Sequence, residues 1–411
     1  MRPLRKRVFA AAGYTTIFMG SGRPEFKPGT TVPMEVYLLE AAQGSLSQLQ
    51  SGTEIDEGVI GSFMSGRFLN QANLPGFLPF VVPSLLNKPC VGVEGACGTG
   101  GKAILTGVKT ILAETSDLTF VTAFEIQNTM KALYGADVLA GAGHYSRQRK
   151  NGHAYFFPGL FSDRAGAYLE KYDAEKARNA MAKWYELSIL NARRSPKAQE
   201  YHNASQDLFS LGMTPPDPSR FVPHLNFYDC SKVSDGAASL IISSEEGLTK
   251  AGLSIKDAVE IIGFGEAEGD ITQDPEDLTT LATTAAACKA ALKQANLSIS
   301  DISLLELHDC FSITALLALE AIGLAKPGEA PDLILSNATS AQGIIPTNLS
   351  GGLIGFGHPT GATGVRQLVD LLHQFTVRSP NQVKPKSPYG MLISMGGNDK
   401  TVSCIIVKHN G

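Results

Sequence analysis

Short apolar, β-branched runs alternate along this chain with longer segments in which apolar residues recur every three or four positions. Val8–Ala12 predicts a strand, Met34–Leu49 a helix, and Gly58–Phe63 and Cys90–Ala96 two further strands. Ala103, Ile104, Val108, Ile111 and Leu112 lie at helical spacing directly after a turn dense in glycine and alanine, and Leu118–Glu125 reads as a buried strand. From about Gln127 to Asn226 the pattern dissolves into segments rich in Gly, Tyr, Arg and Pro, with one clear helix at Ala174–Ala192. A loop-rich insertion of that length usually carries function. Strand character returns at Ser234–Ser243, and a second unit then replays the first. Val259–Gly265 and Leu304–Leu307 predict strands, Leu278–Asn296, Ile313–Ile322 and Gly361–Phe375 helices, and Met391–Ser394 and Val402–Val407 closing strands. Both units finish on a turn and a strand, SDGAASLIIS and GNDKTVSCIIV, which predicts a duplicated α/β architecture of mixed sheets covered by helices on both faces.

Length and composition narrow the partners. A chain of 411 residues is long for one core and predicts two domains. A formal charge of −4 gives no electrostatic reason to expect nucleic acid. No apolar stretch approaches the roughly 20 residues needed to span a bilayer, so membrane insertion is not expected. The six cysteines are dispersed without a CxxC pair, which argues against a disulfide framework and structural zinc and suits a reducing compartment.

Three stretches carry candidate chemistry. In VGVEGACGTGGKAILTGVKTIL, Cys97 sits at a strand–turn–helix junction, where unpaired N–H groups and the helix dipole are expected to lower its thiol pKa toward the nucleophilic thiolate; the alternative is a buried structural cysteine. In LELHDCF a strand ends in His308, Asp309 and Cys310, at the kind of strand terminus where α/β sheets bind ligands. A zinc reading of His308 and Cys310 lacks a second ligand pair. In GGLIGFGHPTGATGVRQL, His358 stands alone in a glycine loop before a helix. Dinucleotide and phosphate-loop readings of the glycine-rich segments fail on spacing, because Gly355-Phe-Gly357 lacks the third glycine and Ala96 and Ala103 occupy two obligatory phosphate-loop positions.

Together Cys97, the His308-Asp309-Cys310-Phe311 run and Gly357-His358-Pro359 resemble the thiolase superfamily along essentially the whole chain. The His-Asp-Cys-Phe run is similar to that of the sterol-carrier-protein-2-type thiolases. The C-terminal Cys-x-Gly loop that supplies an acid/base cysteine in most thiolases reads Ser394-Met395-Gly396 here, and Thr99 departs from the usual Cys-x-Ser. The resemblance implies a five-layer fold of two βαβαβαββ halves: residues 1–127 with 229–250, and 256–411, with 128–228 as a loop domain inserted in the first half. It implies a homodimer or homotetramer, acyl-CoA and CoA as substrates, and no metal or redox cofactor, in the cytoplasm or, in a eukaryote, the mitochondrial or peroxisomal matrix.

The resemblance also implies roles. His358 takes the Cys97 proton, Cys97 becomes acylated, and Cys310 replaces the missing C-terminal cysteine as acid/base at carbon. His308 and His358 form one oxyanion hole, and the N–H groups of Cys97 and Gly396 the other. Ser231 contacts pantetheine and Phe161 lines the acyl pocket. Basic residues at Arg147–Lys150 meet CoA phosphates or are merely solvated. The competing readings are a decarboxylating or carrier-protein-dependent condensing enzyme, disfavoured by Cys310, and an acyl-CoA-binding protein of weak chemistry on the same fold.

Overall fold

A computed structural model describes residues 4–151 and 153–411, with the backbone alone at 150 and 151. The strands are β1 (Val8–Thr15), β2 (Glu57–Gly61), β3 (Cys90–Val93), β4 (Leu118–Glu125), β5 (Gly236–Ser243), β6 (Ala258–Glu268), β7 (Leu304–Glu306), β8 (Tyr389–Gly396) and β9 (Thr401–His409). The helices that matter for the site are α1 (Met34–Leu46), α2 (Thr99–Leu112), α3 (Ala132–Leu139), α4 (Phe156–Lys171), α5 (Ala174–Ala192), α6 (Ala282–Ala295), α7 (Ser312–Ala321) and α8 (Thr363–Phe375).

Among the described residues the strands form one mixed sheet in the order β3-β2-β4-β5-β1-β6-β9-β8-β7. The first half meets the second where β1 pairs antiparallel with β6. Each half follows the expected βαβαβαββ order, but in the second half the third strand shrinks to a single parallel bridge, Leu305 to Thr347. Buried strands explain the near-continuous apolar runs. On β4, Phe120 and Phe124 pack toward α1, whereas Val121 and Ala123 face α2. Helix α1 covers the outside of the first half and α6 the outside of the second, while α2 and α8 lie between the halves and touch strands of both. That stacking is the expected five-layer arrangement.

The segment 128–228 is more helical than its sequence pattern predicts. Helix α4 escapes the periodicity because it opens on Phe-Phe-Pro-Gly and buries polar Ser162 and Arg164 beside Phe161 and Tyr168. Phe161, Tyr168, Met181 and Trp184 share one core with Leu316, Met391 and Ile406 of the second half.

The starts of α2 and α8 cross backbone to backbone. A Cβ on Gly100 would stand 2.6 Å from the Gly364 nitrogen, and one on Gly364 would stand 2.4 Å from the Gly101 nitrogen. Neither backbone can yield, so Gly100→Ala is expected to cost about 1–3 kcal/mol of stability, as overpacking does. Gly66→Ala, where an added Cβ meets nothing within 4 Å, is the control and should stay within about 0.5 kcal/mol. Urea midpoints of the two variants check this.

Candidate active site

Cys97 lies in a single 3-10 turn, Ala96–Gly98, between β3 and α2. Ala96 takes the left-handed conformation at φ 53°, an uncommon one for a residue with a side chain. The turn is held by Thr99, whose hydroxyl donates to the Ala96 carbonyl at 2.6 Å and accepts from the Gly95 N–H at 2.9 Å. Thr99 therefore braces the turn that carries Cys97.

The α2–α8 crossing brings His358 to Cys97. The Cys97 sulfur and a ring nitrogen of each of His308 and His358 all lie within 4.8 Å of one another. The two imidazoles meet edge to face with centroids 5.2 Å apart. Hydrogen bonds assign their protons in opposite senses. Thr363 donates its one hydroxyl proton to the Pro359 carbonyl at 3.0 Å, so at 2.7 Å it accepts from His358 Nδ1–H. His358 Nε2 is then an unprotonated, buried acceptor, without a hydrogen-bond partner among the described residues. On His308, Nδ1 accepts from the Met395 N–H at 3.3 Å, so Nε2 carries the proton and is a donor. A metal bridging the three groups would need a lone pair on His308 that this tautomer does not offer.

Burial pushes His358 down to about 3, helped by the buried Arg366 guanidinium. His308 is lowered by burial, then by His358 and Arg366. Burial lifts the Cys97 thiol up to about 12, and the Glu125 and Glu94 carboxylates add to the rise. The expected lowered thiol pKa is thus overturned: the sulfur, half-buried on the cavity wall, is poorly solvated and faces nearby carboxylates, and the N–H groups of Cys97 and Gly397 offset only part of this. The resting site holds a neutral thiol beside a neutral imidazole.

Cys310 is buried, with its sulfur 3.8 Å from the Thr314 hydroxyl, and burial followed by the field of Cys97 holds its thiol well above the ordinary value. Its loop is pinned from three sides. Asp309 accepts from Trp184 Nε1 at 3.0 Å and Leu353 N–H at 2.7 Å, Asn348 brackets the Leu307 backbone, and the Cys310 carbonyl accepts from Ser231 N–H at 2.9 Å. Phe161 stacks on Phe311 with centroids 4.6 Å apart.

Of the two glycines after Met395, it is Gly397 that lines the cavity and whose N–H favours the Cys97 thiolate. Gly396 closes β8, where a Cβ would lie 2.2 Å from the Gly95 carbonyl. The assignment to Gly396 therefore shifts by one residue, because the chain turns into the left-handed region at Gly397, φ 65°. Ser394 is fully buried against Gly101 and Gly364 rather than on the cavity wall. Ser231 and Phe161 both line the cavity, of about 230 Å³, along with Cys97, His308, Cys310 and His358. Arg147 and Arg149 are paired with Asp274 and Asp137 at 2.9 and 2.7 Å, and the Lys150 side chain lies outside the described residues.

Four further residues shape the site. Glu125 accepts from the N–H groups of Phe63, Met64 and Gly361 and the hydroxyls of Ser62 and Thr360, tying the His358 loop to the first half. Arg164 donates to Asn398 at 2.6 Å and so holds the loop that carries Gly397. Thr363 and Arg366 act on His358 as described. A charge ending the apolar run LTFVTAFE was a readable signal for Glu125, but no spacing rule pointed to Thr363 or Arg164.

The thiolase C-terminal domain-like family matches residues 266–409. An acetyl-CoA acetyltransferase of Methanothermobacter thermautotrophicus is 27% identical over 390 residues, covering 94% of this chain and 97% of its own. Sterol carrier protein 2 of Rattus norvegicus is 31% identical over 248 residues, 59% of this chain and 43% of its own. The crystal structure of human mitochondrial 3-ketoacyl-CoA thiolase superposes with a TM-score of 0.70 at 17% identity, covering 99% of this chain and 100% of the other, which shows the fold.

A neutral thiol near 12 fixes the pH dependence of Cys97. Below that value each pH unit multiplies the thiolate tenfold, so iodoacetamide alkylation of the free protein should climb from pH 6 to 9 without levelling off. A plateau beginning below pH 7 would reveal a thiolate–imidazolium pair instead. Thr363→Val removes the Nδ1 acceptor. It should mix the His358 tautomers in ¹⁵N spectra and slow Cys97 acylation about tenfold or more, whereas Thr363→Ser should preserve both.

Proposed function

This chain belongs to the thiolase superfamily, in its sterol-carrier-protein-2-type branch, and on that premise we propose that it is an acyltransferase cleaving or forming 3-ketoacyl-CoA through an acyl-Cys97 intermediate. The observation that carries this reading is the opposite proton assignment of the two imidazoles around one thiol: His358 Nε2 accepts and His308 Nε2 donates.

In the thiolytic direction His358 Nε2 takes the Cys97 proton as the sulfur attacks the 3-keto carbon. The alkoxide that forms meets the N–H groups of Cys97 and Gly397, each such donor being worth roughly 3 kcal/mol at comparable sites. The C2–C3 bond then breaks, its electron pair leaving as the enolate of acetyl-CoA. His308 Nε2–H and the newly protonated His358 face the enolate oxygen, so the proton taken from sulfur creates the second donor. Cys310 protonates C2, and a CoA thiol then displaces the acyl group from Cys97 while its own proton returns through the same groups. Ser231 binds the pantetheine arm. No step calls for a metal or redox cofactor.

We further propose a homodimer built on the β3 edge. The far edge of the sheet is closed, since Leu305 bridges Thr347 and Asn348 brackets Leu307. At the other end β3 presents an open edge with Val91 38% exposed, and Phe80 and Leu86, in the segment that precedes β3 in the chain, are 57% and 67% exposed. Light scattering should give twice the chain mass, and Val91→Lys should lower it; a monomeric wild type would refute the assignment.

Acylation of Cys97 by a simple acyl-CoA needs no acid or base at carbon, whereas C–C cleavage does. Cys310→Ala should therefore acquire an acetyl label on Cys97 from acetyl-CoA at a rate near wild type, yet lose thiolysis about 10²-fold or more. A label on Cys310 alone, or undiminished thiolysis in Cys310→Ala, would overturn these roles.

A further inference from the structure

A second cavity, of about 560 Å³, shares no lining residue with the catalytic one. Both halves contribute to it, through Tyr14 and Thr15 at the end of β1, Glu306 at the end of β7, and Asp370 and His373 on α8, and the segment after α5 adds the half-buried Lys197. Lys197 Nζ donates to the Thr15 carbonyl at 2.5 Å and lies 3.3 Å from the centroid of the Tyr14 ring. Among the described residues no carboxylate pairs with it, whereas Lys102, Lys109, Lys171 and Lys250 each hold one. The charged and titratable groups around it are engaged elsewhere. Glu40 accepts from the Tyr14 hydroxyl at 3.1 Å, Asp370 from Arg366 and Ser350, and Glu306 from Arg366. His373 donates to the Gly13 carbonyl at 3.3 Å, and Arg378 to Gln48 at 2.8 Å. Burial without a counter-ion disfavours the ammonium and lowers it to about 8, with Glu40 alone pulling upward. A lysine desolvated in this way is a nucleophile near neutral pH.

We propose that Lys197 is a site of covalent N-acylation by acyl-CoA thioesters, approached through this cavity. The lone pair of neutral Nζ attacks the thioester carbonyl carbon, and a C–N bond forms as the C–S bond breaks. The sulfur leaves with the electron pair as CoA thiolate and takes up the proton that the nitrogen sheds, so the products are an amide and free CoA. The cavity is many times the volume of an acetyl group, so the amide has room. Acyl-CoA is the substrate class of the acyl-transfer reading above, but this step bypasses Cys97.

The test is incubation of the full-length protein with acetyl-CoA, followed by quantitative peptide mass spectrometry. At about pH 7.5 an amine titrating near 8 is roughly one-quarter neutral, against roughly one-thousandth for an ordinary lysine, and its weaker basicity offsets part of that advantage. Lys197 should therefore gain acetyl at least about tenfold faster than the exposed Lys289 and Lys384. Its rate should climb with pH up to about 8 and then level. In concentrated urea the three lysines should become equal, because the fold creates the difference. In Cys97→Ala the label on Lys197 should appear at the wild-type rate. Labelling of Lys197 no faster than Lys289 would overturn the proposal and leave acyl transfer untouched. A difference that persists in urea would trace the reactivity to local sequence and overturn it as well. A label on Lys197 that vanishes in Cys97→Ala would show transfer from acyl-Cys97 and overturn direct acylation. Acetyl on Lys197 but none on Cys97 in the wild type would support this proposal and strike the acyl-transfer reading alone.

Discussion

The backbone crossing of α2 and α8 is the constraint on which the site depends. Cys97 precedes one helix and His358 the other, from halves of the chain more than 250 residues apart, and the two meet because Gly100, Gly101 and Gly364 carry no side chain. A methyl group at that contact would push Cys97 away from His358. Loops fixed elsewhere then complete the arrangement: Asn348 and Asp309 hold His308 and Cys310, and Arg164 holds the turn bearing Gly397. Rigid elements therefore set the geometry, and the reactive groups sit at their ends.

Electrostatics keeps the resting site uncharged. Arg366 is buried behind both imidazoles, paired with Asp370 at 2.6 Å and Glu306 at 3.2 Å, and its field disfavours a second positive charge nearby. Glu125 disfavours the thiolate. In the proposed mechanism, charge separation between Cys97 and His358 thus becomes favourable only as the sulfur bonds to carbon and its negative charge moves onto an oxygen that faces N–H donors.

Much of this was legible in the sequence. Buried strands and amphipathic helices produced the right elements because apolar periodicity records which faces are covered, and Cys97, His308, Cys310 and His358 stood out because reactive side chains at strand ends and in glycine turns have few structural uses. The thiol pKa departs from the expectation because a helix start is visible in sequence whereas the carboxylates of Glu94 and Glu125 near a half-buried sulfur are a product of tertiary folding. The one-residue shift from Gly396 to Gly397 depends on a left-handed backbone that two adjacent glycines permit equally. Helix α4 was hidden because its inward face mixes Arg164 and Ser162 with aromatics, a pattern that hydrophobic spacing cannot detect.

The core shared by α4 and α5 with the second half bears on how the chain is made. Phe161, Met181 and Trp184 leave the ribosome long before Met391, Val402 and Ile406, the strand residues that help cover them. Until synthesis is almost finished, the middle of the chain must hold these side chains without their final neighbours. Such high-contact-order closure is slow and leaves apolar surface open to aggregation in the interval. Truncation within β8 or β9 would therefore unseat α4, and with it Phe161 and Arg164, so loss of the last strands would damage a catalytic cavity whose nucleophile lies some three hundred residues upstream.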